Sequence, residues 1–199
     1  MARKFSDKEK EFYKKKIISE ASKLFAQYGF NKTSIQDITD AAGIAKGTLY
    51  IFFNSKEEVL FSVFEELEQF RDKIFQDLQK PGIDAGDAIQ QLITQSLRFV
   101  EDNKIFKMMN DENIIDKMML KLPEERLAKH HEKDETDSRE FIKYLQTSSN
   151  LIDTKPEIIV GLLRALFMIT LHKKEIGFTI YDEVIELLTR AVARGLRKE

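Results

Sequence analysis

The sequence predicts an all-α protein, and three observations carry that prediction. Proline and glycine are scarce, at 3 and 8 of 199 residues, and long alternating runs of β-branched residues are absent. Apolar residues recur at three- and four-residue spacing, the period of a helix with one face turned to a core. Between these stretches stand helix-start signals, Ser or Thr followed three positions later by an acid or Gln, and stop signals, Gly beyond the last apolar turn. With 42% apolar and 33% charged residues, the composition is that of an ordinary soluble chain with length enough for a real core.

Taken in order, Lys8 to Tyr28 reads as an amphipathic helix with Phe12, Ile17, Ile18, Ala21, Leu24 and Phe25 near one stripe, and Gly29 as its stop. Thr33 with Gln36, or Ser34 with Asp37, caps a short helix whose Ile38 and Ala42 point inward. Gly43 supplies a tight turn, and a second short helix follows, with Leu49 and Phe52 or Phe53 packing back. Ser55 with Glu58 caps a long helix from Lys56 to about Gln79, ended by Lys80-Pro81-Gly82. The body then holds a helix from Asp84 to Glu101 and a methionine-rich stretch, and Pro123 opens another helix at its first turn. Residues 128–140 are polar all round and read as exposed or mobile, until Phe141, Ile142 and Leu145 restore an apolar face. Thr154 caps and Pro156 starts a helix to about Lys173, apolar around most of its circumference and so buried on more than one side. Thr179 with Asp182 signals the start of a final helix to about Gly195.

Composition also excludes several classes. There is no cysteine, so disulfides, thiol catalysis and cysteine-ligated zinc are ruled out, and a reducing compartment is compatible. The N-terminal stretch lacks the apolar core of a signal peptide. The most apolar window, Ile158 to Leu171, is shorter than the roughly 20 residues of a membrane span and contains Arg164. His130 and His131 are adjacent and point apart on a helix, unlike the i, i+4 pair of a zinc site. No nucleophile motif or phosphate-binding loop is present, so neither an enzyme nor a bound cofactor or metal is expected.

Two short helices joined through a glycine turn are the geometry of a helix-turn-helix, here at about residues 34–53. In DNA-binding versions the second helix enters the major groove. Charge supports that use. Residues 1–56 hold 11 Lys and Arg against 6 Asp and Glu, whereas the whole chain carries a net −2; a basic head suits phosphate neutralisation. The expected division is a DNA-binding domain at 1–56 and a separate regulatory body at 57–199.

The residues Ala21, Leu24-Phe25, Gly29-Phe30, Thr33-Ser34, Ile38, Ala41-Ala42-Gly43, Lys46-Gly47-Thr48-Leu49-Tyr50, Phe53 and Ser55-Lys56-Glu57 carry a resemblance to the tetracycline-repressor (TetR) family of bacterial regulators. It covers about 45 residues; beyond about residue 65 only a compatible helix pattern continues. The resemblance implies about nine helices, a homodimer through the last two, and a small-molecule pocket in the body. It also implies repression of an operator, relieved when a ligand changes the spacing of the two heads, in the cytoplasm. By position it implies DNA contacts from Thr33, Ser34, Lys46, Gly47, Thr48, Tyr50, Ile51 and Lys56, with Thr33 and Lys56 on phosphates and Lys46 on guanine or phosphate. Three residues depart from the family pattern. Ala45 leaves the reading helix without a capping side chain, and Ile51 and Phe52 replace polar groups. Ile51 could touch a thymine methyl or pack against the first helix.

In the body, Phe99, Phe106, Met109 and Met118 could line an adaptable pocket for a hydrophobic or aromatic effector, since methionine repacks around varied shapes; they could equally be core. The apolar terminal helices most simply place their second face on another copy, through Ile159, Leu162, Leu163, Leu166, Leu188 and Val192, with Gly161 and Ala165 permitting close approach. A ligand-responsive, DNA-binding regulator is therefore expected. The alternative is a dimeric helical binding protein whose head has lost sequence-specific DNA recognition.

Overall fold

The computed structural model describes residues 5–108, 112–170 and 172–198, and these fold into two compact units. The first comprises the chain up to Gln69 together with Asn103–Glu124. It opens with α1 (Asp7–Tyr28), which starts at a full capping box: the Ser6 hydroxyl accepts the Glu9 N–H, and the Glu9 carboxylate accepts the Ser6 N–H. Gly29, at φ +82°, ends it. Then come α2 (Ile35–Ala42), the single turn α3 (Lys46–Leu49) and α4 (Lys56–Leu67). Ile17, Ala21 and Phe25 of α1 are buried with Ile38 of α2, Leu49 of α3 and Val59, Leu60 and Val63 of α4.

The helix expected to run unbroken from Lys56 to Gln79 is interrupted at Glu68, and α5 (Gln69–Leu78) follows. The chain passes there from the first unit to the second. It continues through α6 (Ala85–Asp102), then returns to the first unit with the single turn α7 (Lys104–Lys107) and α8 (Glu112–Lys121). In that unit α8 packs on α4 and α7 on α1, and the Phe106 ring lies 5.9 Å from that of Phe64. The first unit is therefore larger than a head ending at residue 56: the apolar face of α4 needs α1 on one side and α8 on the other.

The second unit is built from α5, α6, α9 (Glu124–Ser148), α10 (Pro156–Thr170), the single turn α11 (Lys173–Ile176) and α12 (Tyr181–Gly195). Phe75 of α5 stacks on Phe141 of α9 with centroids 4.4 Å apart, in a core that includes Ile89 and Ile93 of α6 and Ile159 and Leu166 of α10. The polar stretch 128–140 lies wholly within α9. Several of its charges are paired: Asp134 accepts from Arg71 and from Arg164, the latter at 3.2 Å, and Lys133 lies 3.8 Å from Asp137. A polar helix face laced with ion pairs explains why no apolar periodicity marks it. The expected Thr179 start for the last helix is not used, since α12 begins after Ile180 without a side-chain cap.

Among the described residues there are twelve helical segments, and the excess over about nine comes from the break at Glu68 and the single turns α7 and α11. None is long and apolar enough to cross a membrane.

Candidate nucleic-acid interface

The segment from Gly29 to Glu58 is built as an apolar frame carrying an exposed outer surface. Its first fixed point is the start of α2. Ser34 Oγ accepts the Asp37 N–H at 3.1 Å, and the Asp37 carboxylate accepts both the Ser34 N–H at 2.8 Å and its hydroxyl at 2.7 Å. Those bonds to the ionised form, the Ser34 hydroxyl first, hold the Asp37 carboxyl below its ordinary range. The turn is fixed by Gly43, which adopts φ +61° and ψ +40°, a left-handed conformation costly for a residue with a Cβ. Lys16 of α1 reaches across this turn, its Nζ 3.7 Å from the place a Cβ on Gly43 would occupy.

α3 lacks any side-chain cap at Ala45. Its hydrogen bonds nevertheless wind on past its end: Ile51 N–H donates to Thr48 O at 3.2 Å, and Phe52 and Phe53 N–H to Leu49 O at 2.9 and 3.0 Å. Leu49 and Phe53, 0% and 1% exposed, anchor the two ends of this segment in the core. Between and before these anchors Lys46, Gly47, Tyr50 and Ile51 are exposed and Thr48 is half-buried. The bare backbone of Gly47 has nothing within 4 Å of where a Cβ would stand. A cation, a bare backbone, a phenol and an aliphatic side chain thus share one short outward surface. That set can take up phosphates, base edges and a methyl group.

Two expected phosphate contacts are turned inward instead. Thr33 is 2% exposed, and its hydroxyl donates to Gly29 O at 2.8 Å. Lys56 donates from Nζ to Phe30 O and Thr33 O, each at 2.8 Å, and lies 4.2 Å from the centroid of the Phe30 ring. Burial pushes its ammonium pKa down. The loop joining α1 to α2 leaves carbonyls facing the start of α4, and Lys56 is the donor within reach. Sequence reasoning also missed Asn54, whose N–H and side-chain amide donate to the buried Glu58 carboxylate at 2.7 and 3.1 Å. The Ser55–Glu58 spacing was legible, and Ser55 Oγ does accept the Glu58 N–H; the reach of the acid back to Asn54 was not.

The residues expected around an effector do not come together within one unit. Phe99 stacks on Phe70 in the second unit, with centroids 4.0 Å apart. Phe106 and the buried Met118 belong to the first, and Met109 lies outside the described residues. The expected dimer residues also divide. Ile159 and Leu166 are 1% and 3% exposed and belong to the core, against which Leu163, Leu188 and Val192 pack. Leu162 is outward, and beside it along α10 the exposed apolar residues are Ile158 and Met168, with Leu187 on α12. A helix apolar nearly all round hides which of its faces closes on its own core, and that pattern could not choose between neighbouring leucines. Among the described residues no group of three or more His, Cys, Asp or Glu is placed to hold a metal ion.

Residues 17–63 match the family model described as bacterial regulatory proteins, tetR family. The chain is 35% identical over 88 residues to the HTH-type transcriptional repressor KstR2 of Rhodococcus jostii, covering 43% of this chain and 42% of that one. It is 34% identical over 65 residues to the fatty acid metabolism regulator protein of Bacillus subtilis, covering 32% and 34%. The chain thus spans less than half the length of these curated relatives. A solved structure of a TetR/AcrR-family transcriptional regulator from Thermobifida fusca superposes with a TM-score of 0.66 at 23% identity, over 93% of this chain and 98% of that one. At that identity the likeness shows the fold alone.

Proposed function

We propose, from a head that belongs to the tetR family of bacterial regulatory proteins, that the whole chain is a DNA-binding transcriptional repressor released by a small effector. The observation that carries the reading is the outward surface of exposed Lys46, Gly47, Tyr50 and Ile51 with the half-buried Thr48, which lies before and between the buried anchors Leu49 and Phe53. Lys46 pairs with guanine or a phosphate, Gly47 lets the backbone approach, and Thr48 and Tyr50 supply hydroxyls. Ser34 lies at the exposed start of α2, where first-turn N–H groups outside the Ser34–Asp37 box favour a phosphate. Thr33 and Lys56 act as positioning residues in this reading, since the Thr33 hydroxyl and two of the three Lys56 ammonium N–H bonds are directed at carbonyls of the α1–α2 loop.

Two heads reading two related half-sites require a dimer. The exposed apolar stripe of Ile158, Leu162 and Met168 on α10, with Leu187 on α12, supports a second copy as its cover. The effector is small and hydrophobic in this reading, a choice supported by the aromatic content of the second unit and by the fatty acid regulator among the relatives. The division of labour is a DNA-binding head and a ligand-binding, dimerising body, working in the cytoplasm beside the chromosome. A helical binding protein without sequence-specific recognition is not favoured, because the outward residues of the head are unobstructed.

The test is a binding titration on a duplex enriched by the full-length protein from a random double-stranded pool. Two chains per duplex are expected, on a sequence with two related half-sites. Lys46→Ala should weaken binding by about 1–3 kcal/mol if it pairs with guanine, and relax the preference at one position. A uniform loss across sequences, with the salt slope reduced by about one, would assign it to phosphate. Enrichment of no sequence above bulk DNA would overturn the reading.

A further inference from the structure

We propose that Ile51 reads the 5-methyl group of a thymine in each half-site of the bound DNA; the inference rests on the DNA-reading assignment of the head and specifies what one of its residues recognises. A single exposed aliphatic residue is ordinary on a protein surface, so exposure alone carries nothing. What sets Ile51 apart is its place. The hydrogen bond from its N–H to Thr48 O continues the turn of α3, so it follows Gly47 by four residues and Thr48 by three, the spacings that put side chains on one helical face. It is 57% exposed, whereas the next two residues are withdrawn: Phe53 into the core, and Phe52 half-buried.

The alternative role for Ile51, packing toward α1, is already filled. The Phe52 ring lies 6.2 Å from that of Phe5, which in turn meets Tyr13 of α1 edge-on at 5.3 Å. Phe52 and Phe5 thus form the apolar bridge to the first helix, and Ile51 stands clear of it. Ile51 has no hydrogen-bonding group, so it cannot serve a phosphate or a base-edge donor or acceptor. In the major groove the one apolar feature that distinguishes a base pair is the thymine methyl. The open space beside Gly47 leaves room for a base edge to approach that aliphatic side chain.

The experiment uses the full-length protein and the duplex it enriches from the random pool. That duplex is resynthesised with deoxyuridine in place of thymidine, one position at a time, which removes the methyl and leaves base pairing intact. At one position in each half-site, wild-type affinity should fall about fourfold, equivalent to the ~0.8 kcal/mol of one buried methyl group. Replacing both should cost about sixteenfold. Ile51→Ala should bind the thymine duplex more weakly and no longer distinguish thymine from uracil there, and Ile51→Val should keep part of the distinction. Equal wild-type affinity for thymine and uracil duplexes at every half-site position would overturn the inference while leaving the DNA-reading assignment intact. So would full discrimination retained by Ile51→Ala. Failure to enrich any sequence would overturn both.

Discussion

The starts of α2 and α6 solve the same problem with different parts of the chain. At each, N–H groups of the first turn have no partner within the helix. At α2 the solution is local: Ser34 and Asp37 satisfy each other within three residues, in the helix-turn-helix segment. At α6 a local bond also exists, from the Asp87 N–H to Asp84 Oδ1 at 3.0 Å, but the remaining partners come from far along the chain. Asn150 accepts the Ala85 N–H through Oδ1 and donates through Nδ2 to Asp84, each at 2.9 Å. Arg197 donates from Nε to Asp84 at 2.7 Å and from its terminal nitrogen to Asp87 at 2.6 Å. The end of the chain is held there by backbone bonds as well, from Ile152 N–H to Leu196 O and from Lys198 N–H to Asn150 O. The head's start is closed by residues three apart, whereas the α6 start is complete only once residues 84, 150 and 197 have met.

The largest break in this comparison should come from Gly86→Ala. In an exposed helix the change would stabilise by up to about 1 kcal/mol. Here the new Cβ would fall on the Arg197 guanidinium and within 2.9 Å of the Ala193 carbonyl oxygen. The guanidinium can swing away, but the α12 backbone cannot. We expect a net loss of about 2 kcal/mol by the cost of overpacking, measured by chemical denaturation; a gain would show that the clasp is loose.

Ser34→Ala should cost about 1 kcal/mol as the loss of one capping side chain. It should also release the Asp37 carboxyl toward its ordinary pKa, followed by carboxyl-resolved NMR titration. Because this closure is local, the loss should be indifferent to changes at residue 150 or 197.

The smallest effect at neutral pH is expected from Arg197→Ala, and its signature is in acid. Burial pushes the Asp84 carboxyl pKa up, but the Asn150 amide, the Asp87 N–H and Arg197 together outweigh it and hold the group below its ordinary range. A carboxyl depressed on folding contributes stability that is complete above its unfolded value and is lost as pH falls through its folded value. Removing Arg197 raises that folded value toward the unfolded one, so the acid limb of the stability profile should be smaller and should end at a higher pH. An unmoved limb would show that Asn150 and the Asp87 N–H suffice.

The same contrast accounts for what was legible in advance. The Ser34–Asp37 box, the Gly43 turn, and the inward Ile38 and Leu49 are written in short spacings, and each stands where those spacings place it. Thr33 and Lys56 share their neighbourhood in sequence with true surface residues, yet they face inward because carbonyls of the α1–α2 loop present themselves to α4. The interruption at Glu68 has no proline or glycine to announce it. The helix through 128–140 hides because ion pairs with Arg71 and Arg164, rather than apolar periodicity, occupy its sides.

By itself the sequence determined the all-α class, the capped frame of the helix-turn-helix head and the resemblance of that head to the tetR family of bacterial regulatory proteins. These depend on propensity, capping and apolar period, all of which act over a few residues. Only the tertiary structure decided that α7 and α8 fold with the head, that Ile159 and Leu166 are core while Leu162 faces outward, and that Ile51 stands free because Phe52 takes the contact toward α1. Each of these is a choice among apolar residues equally able to be buried. Only the three-dimensional positions of their neighbours distinguish them.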